Sequence, residues 1–308
     1  MNARLGLNYS SFVNSNIIIG YISAIVAAVL FGCVSTVGKP ILSTVDPLLL
    51  SSIIYLTAGL FFTPSSVRAS SKITKSSIFL IIISAISGAA IAPFVFFQGL
   101  KMGTAADTAL LANGETVFSI LFALLIFRER LRPVGYIAVT LILIGVFLLT
   151  TNLDFHSSIF SLNIGNVLVI LSTTIWGLDN NICKIIARQM HISRLIQLKA
   201  LIGGTILIGT AAISGIPFII HSEQLIPIIL LGIFGFAISL YLYLHSIKRI
   251  GVIKASSLLS LSAVFGLIFA IIFLRESIGI NQIIAISVMI FGIHLMYIHE
   301  KKNEIILK

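Results

Sequence analysis

Apolar residues run through this chain in long blocks, each closed by a short polar or proline-bearing break. With helical spans of about 20 mostly apolar residues as the template, the pattern predicts ten: 17–38, 47–63, 77–99, 104–127, 133–151, 163–186, 194–215, 224–247, 252–274 and 278–298. The breaks have local causes. Lys39-Pro40 closes the first block, and Asp46-Pro47 opens the second, which ends at Pro64-Ser65-Ser66. Arg128-Glu129-Arg130 and Pro133 separate the fourth from the fifth, and Pro217 and Pro227 frame the loop before the eighth. Proline lacks the N–H that a helix interior needs, so such positions end or bend helices. The stretch before residue 17 has no small-residue cleavage pattern and its apolar run continues as a full span, so a cleaved signal peptide is not expected.

One block is polar on a face and is also a copy. Gly165 to Lys184 reads GNVLVILSTTIWGLDNNICK; moved back by 145 positions it falls on Gly20 to Lys39, GYISAIVAAVLFGCVSTVGK. Gly165 lands on Gly20, Trp176 on Phe31, Gly177 on Gly32, Asn180-Asn181 on Ser35-Thr36 and Lys184 on Lys39. Residues three, four and seven apart share a helix face, so each half opens with a polar-faced helix. We expect these two helices to wall one central site. The copy continues: Phe97 to Lys101 corresponds to Leu244 to Lys248, and Val117 to Glu129 to Val264 to Glu276, with a short slip between the blocks. The expected organisation is two repeats, 1–152 and 163–300, of five spans each. An odd span count per repeat inverts the second in the membrane, and inverted repeats with a site at their interface mark secondary transporters.

Composition turns the pattern into a class. The 308 residues are 58% hydrophobic and 10% charged, against about 45–50% and about 25% in soluble domains; mean hydropathy is +1.12. The fold class is therefore all-α integral membrane, located in the cell membrane as a multi-pass protein. A net charge of +10 does not point to nucleic acid, because the basic residues sit at span ends. With the N-terminus inside, the ten-span reading puts seventeen Lys and Arg on the inner side, Lys199 among them, and only Lys39, Lys101 and Arg275 outside. By the positive-inside rule both termini are cytoplasmic. Cys33 and Cys183 lie within spans and form no disulfide framework.

The blocks ALLANGETVFSILFALLIFRERLRPVGYIAVTLILIGVFLL and LLSLSAVFGLIFAIIFLRESIGINQIIAISVMIFGIHLM resemble the drug/metabolite transporter superfamily, EamA type. The resemblance covers the whole chain. Glu115 is kept, but Thr116 stands where that family usually has proline, and the second half has Ser262-Ala263 there. The resemblance implies a ten-helix secondary transporter moving a small metabolite, an amino acid or similar amphipathic compound, in the export direction by alternating access. A drug-efflux protein, a sugar-phosphate carrier and a non-transporting membrane scaffold are the alternatives. Lipid and a small-molecule substrate are the expected partners. A monomer suffices to build the site, since both halves are in one chain.

The candidate chemistry is polar residues inside apolar spans, which are costly to bury and so mark function or tight pairing. Trp176, Asp179, Asn180 and Asn181, with Ser35 and Thr36 from the copy, are expected to bind substrate; a carboxylate with two amides suits a zwitterion or polyol. Gln98, Tyr241 and His245 add an aromatic and hydrogen-bonding group on the third and eighth spans. Glu115, about mid-way along its span, and Asp179 are the proton-coupling candidates; each could instead be a structural hydrogen-bond partner. Lys39 and Lys184 are charge candidates for an anionic group, or snorkel to the interface. No phosphate loop, catalytic triad or metal-ligand spacing occurs, so no enzyme activity, cofactor or metal is expected.

Overall fold

Inside a bilayer no water can satisfy a free N–H or C=O, and a helix satisfies its own. The computed structural model describes residues 3–68, 75–126, 128, 133–151, 164–275, 280, 283–284, 287–288, 290–292 and 294–295, and no strand occurs among them. Most of the tenth expected span, the connection 152–163 and Glu129-Arg130 lie outside the described residues.

The first passage is α1 (Ala3–Gly32) and α2 (Val34–Ile41), and the second is α3 (Pro47–Arg68). The third joins α4 (Lys75–Ile86) to α5 (Ala92–Met102) through a wider π-helical turn, Ser87–Ile91. The fourth is α6 (Ala105–Leu111) and α7 (Gly114–Leu125), and the fifth is α8 (Pro133–Thr151). The second half repeats the series. It has α9 (Ile164–Ala187), α10 (Ile192–Ile213), then α11 (Ser222–Leu230) and α12 (Ser239–Ile250) joined by a π-helical stretch, Leu231–Ile238, and finally α13 (Val252–Leu259) and α14 (Leu261–Leu274). Six stretches among the described residues are long and apolar enough to cross a membrane: Asn16–Ile41, Pro47–Val67, Ser77–Met102, Ile192–Ile213, Ser222–Ile250 and Val252–Leu274. Helix α9 is long enough, at about 1.5 Å per residue, but its C-terminal half is polar. That half is carried inside the protein: Trp176, Asp179, Asn180, Asn181 and Cys183 are all buried.

Besides the first, which turns at Cys33, two expected spans are not continuous. The span 104–127 breaks at Ala112-Asn113, where the backbone tightens so that Glu115 N–H bonds Ala112 O and Thr116 N–H bonds Asn113 O. Asn and Gly are weak helix formers, and Asn113-Gly114 stands at the break. Glu115 therefore lies in the first turn of α7, not mid-way along one helix. The span 252–274 breaks at Ser260, which is Asn113 moved on by 147.

The packing of the halves is reciprocal. Helices α3 and α10 are 145 positions apart at both ends, 47 to 192 and 68 to 213. A Cβ on Gly59 would meet Leu201, and one on Gly204 would meet Leu56; these are the same pair with the halves exchanged. Going up α3 from 56 to 59 goes down α10 from 204 to 201, so the two helices are antiparallel. The same exchange holds for Gly32 against Phe265-Gly266 and Gly177 against Phe118-Ser119. It holds again for Gly20 against Arg249-Ile250 and Gly165 against Met102-Gly103. Arg128 and Arg275, the equivalent residues closing α7 and α14, both take the left-handed backbone conformation. Each residue meeting its partner's equivalent is the signature of a two-fold axis. The equivalent aromatics Phe31 and Trp176 touch edge to face, ring centres 6.2 Å apart.

Candidate functional site

Where the third passage widens, the backbone supplies the first polar group of the site. In the π-helical turn the N–H of Ala92 bonds the carbonyl of Ser87. The next such bond, to Gly88 O, would need an N–H on residue 93, which is proline. The carbonyl of Gly88 instead accepts from Tyr55 Oη (3.1 Å) and Trp176 Nε1 (2.9 Å). It thereby ties α3 and α9 to the third passage.

Against the same turn lies a buried ion pair. Asp179 of α9 and Lys199 of α10 are joined by a salt bridge, each side chain 2% exposed. Asp179 Oδ1 also accepts from Ser84 Oγ. Cys183, one turn on from Asp179, lies 3.6 Å from Lys199 Nζ. Gly88 makes room for the carboxylate: a Cβ there would overlap Asp179. A second polar group faces the first. Asn180 Nδ2 donates to Glu115 Oε1 (2.7 Å) and Ser119 Oγ (3.0 Å). Glu115, in the first turn of α7, sits at the positive end of that helix. Tyr243 and Ser256 share a hydrogen bond, and Thr116 Oγ1 donates to Ser256 O (3.0 Å), which links α12, α13 and α7.

Of these groups Asp179, Lys199, Glu115, Asn180 and Tyr243 line one cavity between the halves, with Phe31, Tyr55, Gly88, Trp176, Phe236, Leu240 and Leu259 among its walls. The space between these walls is about 450 Å³ and is partly open to solvent. The cavity is narrow, largely apolar and carries both signs of charge.

Of the residues expected at one site, Trp176, Asp179, Asn180 and Glu115 line this cavity. The others go elsewhere. Asn181 Nδ2 turns to Ser119 O and Gly177 O, both 3.0 Å, so it clamps α9 to α7. Ser35 lines a separate cleft of about 230 Å³ with Phe31, Gly32, Val34, Phe96, Ala109, Ala112 and Ser262. Thr36 is buried with its hydroxyl unpaired. Gln98 is half-buried and lines no part of the cavity. Tyr241 and His245 stack on each other, ring centres 5.9 Å apart. They line a different, basic cavity with Asn16, His191, Lys248 and Arg249. Tyr243, two residues from each, takes the place expected of them. Lys39 caps α5 by donating to the carbonyls of Leu100 (2.9 Å), Lys101 (3.2 Å) and Gly103, as a cation at a helix C-terminus should. Lys184 is half-buried near the end of α9 and does not reach the cavity.

Sequence reasoning counted Lys199 with the inner-side charges, at the cytoplasmic end of the span 194–215. It is one of the largest fully buried side chains, because α10 starts at Ile192 and carries it two turns in. A lone basic residue in an otherwise apolar span was the available signal. Tyr55 and Ser84 carried no comparable mark.

The cleft beside Ser35 is the two-fold counterpart of the cavity. Phe31, Gly32, Val34 and Ser35 stand where Trp176, Gly177, Asp179 and Asn180 do, and Phe96, Ala112 and Ser262 where Tyr243, Leu259 and Glu115 do. Charge is present in one copy and absent from the other.

With this geometry in hand, the comparisons with known proteins decide the class. The model of the EamA-like transporter family matches twice, over residues 18–151 and 163–298. The chain belongs to the EamA-like transporter family. An uncharacterized transporter of Methanothermobacter thermautotrophicus is 31% identical over 294 residues, covering 90% of this chain and 86% of that one. An uncharacterized transporter of Clostridium kluyveri is 24% identical over 300 residues, covering 92% and 94%. A protein known from its crystal structure superposes with a TM-score of 0.74 at 18% identity, covering 94% of this chain and 99% of that one; at that identity it shows the fold alone. The family and the six apolar helices make this EamA-like protein a multi-pass membrane protein.

Proposed function

We propose that the chain is a secondary transporter that exports a small amphipathic metabolite, an amino acid or a compound like it, by alternating access. The observation that carries the reading is the cavity between the halves, lined by Asp179, Lys199, Glu115 and Asn180 on an otherwise apolar wall. Glu115 follows the break at Asn113, whose equivalent is at Ser260, and Gly88 lies in the π-helical turn Ser87–Ile91, whose equivalent is Leu231–Ile238; Asp179, Asn180 and Lys199 stand beside them on the continuous helices α9 and α10. Discontinuous helices around a midplane site are what transporters use to present backbone and side-chain groups to a substrate.

The membrane arrangement belongs to the same proposal. Ten spans in two inverted sets of five, with both termini cytoplasmic, fit the antiparallel packing of α3 on α10 and the basic bias of the inner loops, which survives the removal of Lys199 from the count. Glu115 is the proton-carrying group: it is held by the neutral amide of Asn180, whereas Asp179 already has a cation. A non-transporting scaffold would have bulky side chains filling this space, and the charged cavity speaks against it.

Flux in proteoliposomes tests the proposal, with a panel of labelled amino acids and an imposed pH gradient. Saturable, gradient-driven uptake that becomes gradient-insensitive in Glu115→Gln is the expected result. Uptake indifferent to the gradient in the wild type would make the protein a facilitator, and no saturable uptake of any compound offered would sink the transporter reading.

A further inference from the structure

We propose that the Asp179–Lys199 ion pair is the selectivity device of the cavity and reads a zwitterion. The substrate's ammonium takes Asp179 and its carboxylate takes Lys199, so each buried charge trades one partner for another. This deepens the transporter reading and rests on it.

The first ground is an internal control. The two-fold equivalents of Asp179 and Lys199 are Val34 and Ile54, both buried. The surroundings match: Gly88 backs Asp179 as Gly235 backs Val34. The same packing is thus built in this chain once with a buried ion pair and once with two apolar side chains. Replacing a buried pair by apolar residues of similar volume is often neutral or stabilising, so the fold does not call for the charges.

The second ground is access. Asp179 and Lys199 both line the cavity, beside an aromatic wall of Phe31, Tyr55, Trp176, Phe236 and Tyr243. The wall suits an apolar side chain, and the pair suits an ammonium and a carboxylate borne on one carbon. Ser84 keeps a hydrogen bond on Asp179 Oδ1, so the carboxylate stays oriented when Lys199 turns to a ligand.

The third ground is charge balance. The pair is neutral as a unit. A zwitterion that splits it leaves no charge uncompensated, whereas a lone cation strands Lys199 and a lone anion strands Asp179. A stranded buried charge is strongly unfavourable, so the pair rejects amines and carboxylates that carry one charge. In the empty protein the two charges stand in for the substrate.

Trp176 is the only tryptophan of the chain and lines the cavity, so its emission in the purified full-length protein reports occupancy directly. Alanine, leucine, phenylalanine and glutamine would each be titrated beside their amides, which carry only the ammonium, and their N-acetyl derivatives, which carry only the carboxylate. At least one free amino acid should change the emission saturably, and its single-charge derivatives should bind at least about tenfold more weakly, as the loss of one charged hydrogen-bond partner implies. Equal binding of the derivatives, or no binding of any free amino acid, overturns the inference. The double variant Asp179→Val/Lys199→Ile should melt no lower than the wild type and bind no zwitterion; Lys199→Arg should keep the zwitterion preference. A double variant that unfolds marks the pair as a structural clamp and overturns the inference, as does one that still binds. Flux separates this from the wider reading. Saturable transport of singly charged or neutral compounds alone would end the zwitterion assignment and leave the transporter standing. Zwitterion binding without flux of anything would do the reverse.

Discussion

An alanine at position 88 would put a methyl group where the Asp179 carboxylate lies. Backbone and a buried ion pair cannot yield as a flexible surface chain would, so Gly88→Ala should destabilise the protein by about 1–3 kcal/mol. Gly209, on α10, has nothing within 4 Å of its Cβ position. Gly209→Ala should therefore leave stability unchanged or raise it by up to about 1 kcal/mol. Thermal unfolding of the two variants in detergent checks the contrast, and equal melting points would remove the crowding at Gly88. Lys199→Met, which leaves Asp179 buried without its cation, should cost about 3–5 kcal/mol; a loss below 1 kcal/mol would mean that Asp179 is satisfied without it. Single residues were also where the sequence was hardest to read. Asp179 and Asn180 were legible because a carboxylate and an amide stand out in an apolar span. Lys199 follows Arg194 and Gln197 closely, a run that looks like a loop edge until α10 is seen to start at Ile192. Asn181 and Asn180 are neighbours of one type, and only the rotation of α9 against α7 sends one into the cavity and the other onto a backbone carbonyl.

Among the elements, the third passage shows how a proline acts at a distance. A proline such as Pro93 loosens a helix interior, yet Leu231–Ile238 winds as widely with Leu240 at the equivalent position. The widened turn therefore belongs to the repeat, and what the proline adds is a carbonyl without a helical donor. Pro93→Ala would give position 93 an N–H able to compete for Gly88 O with Tyr55 and Trp176. We expect a shifted Trp176 emission and slowed flux, with stability changed by no more than about 1 kcal/mol, the net worth of one hydrogen bond. Unchanged emission and flux would show that Tyr55 and Trp176 hold the carbonyl regardless. The helix break at Ser260 was not legible, since apolar residues flank it closely on both sides; at Asn113-Gly114 two weak helix formers in an apolar span were the available signal. The break matters because it moves Glu115 from the middle of a helix to the start of one.

For the whole molecule, the shift of 145 residues was readable from Gly, aromatic and Lys positions. Its extension through α3 and α10 was not, because those helices share a frame and little side-chain identity. The proposed ten spans predict that tags on both termini are reached by membrane-impermeant reagent only from the cytoplasmic side; a tag reached from outside would break the inverted scheme. The two-fold is carried by glycines and backbone, and the charges depart from it. Glu115, Tyr55 and Ser84 come from the first half, and Asp179, Asn180, Lys199 and Tyr243 from the second. Two copies of the first half would face Val34 with Ile54 and hold no ion pair; two copies of the second would hold the pair twice and place Ser262 where Glu115 belongs. Duplication thus freed each copy to lose what the other kept, and the chain became a heterodimer in all but covalent continuity. Cut within 152–163 and co-expressed, the two fragments should rebuild a working protein, and neither fragment doubled should replace it.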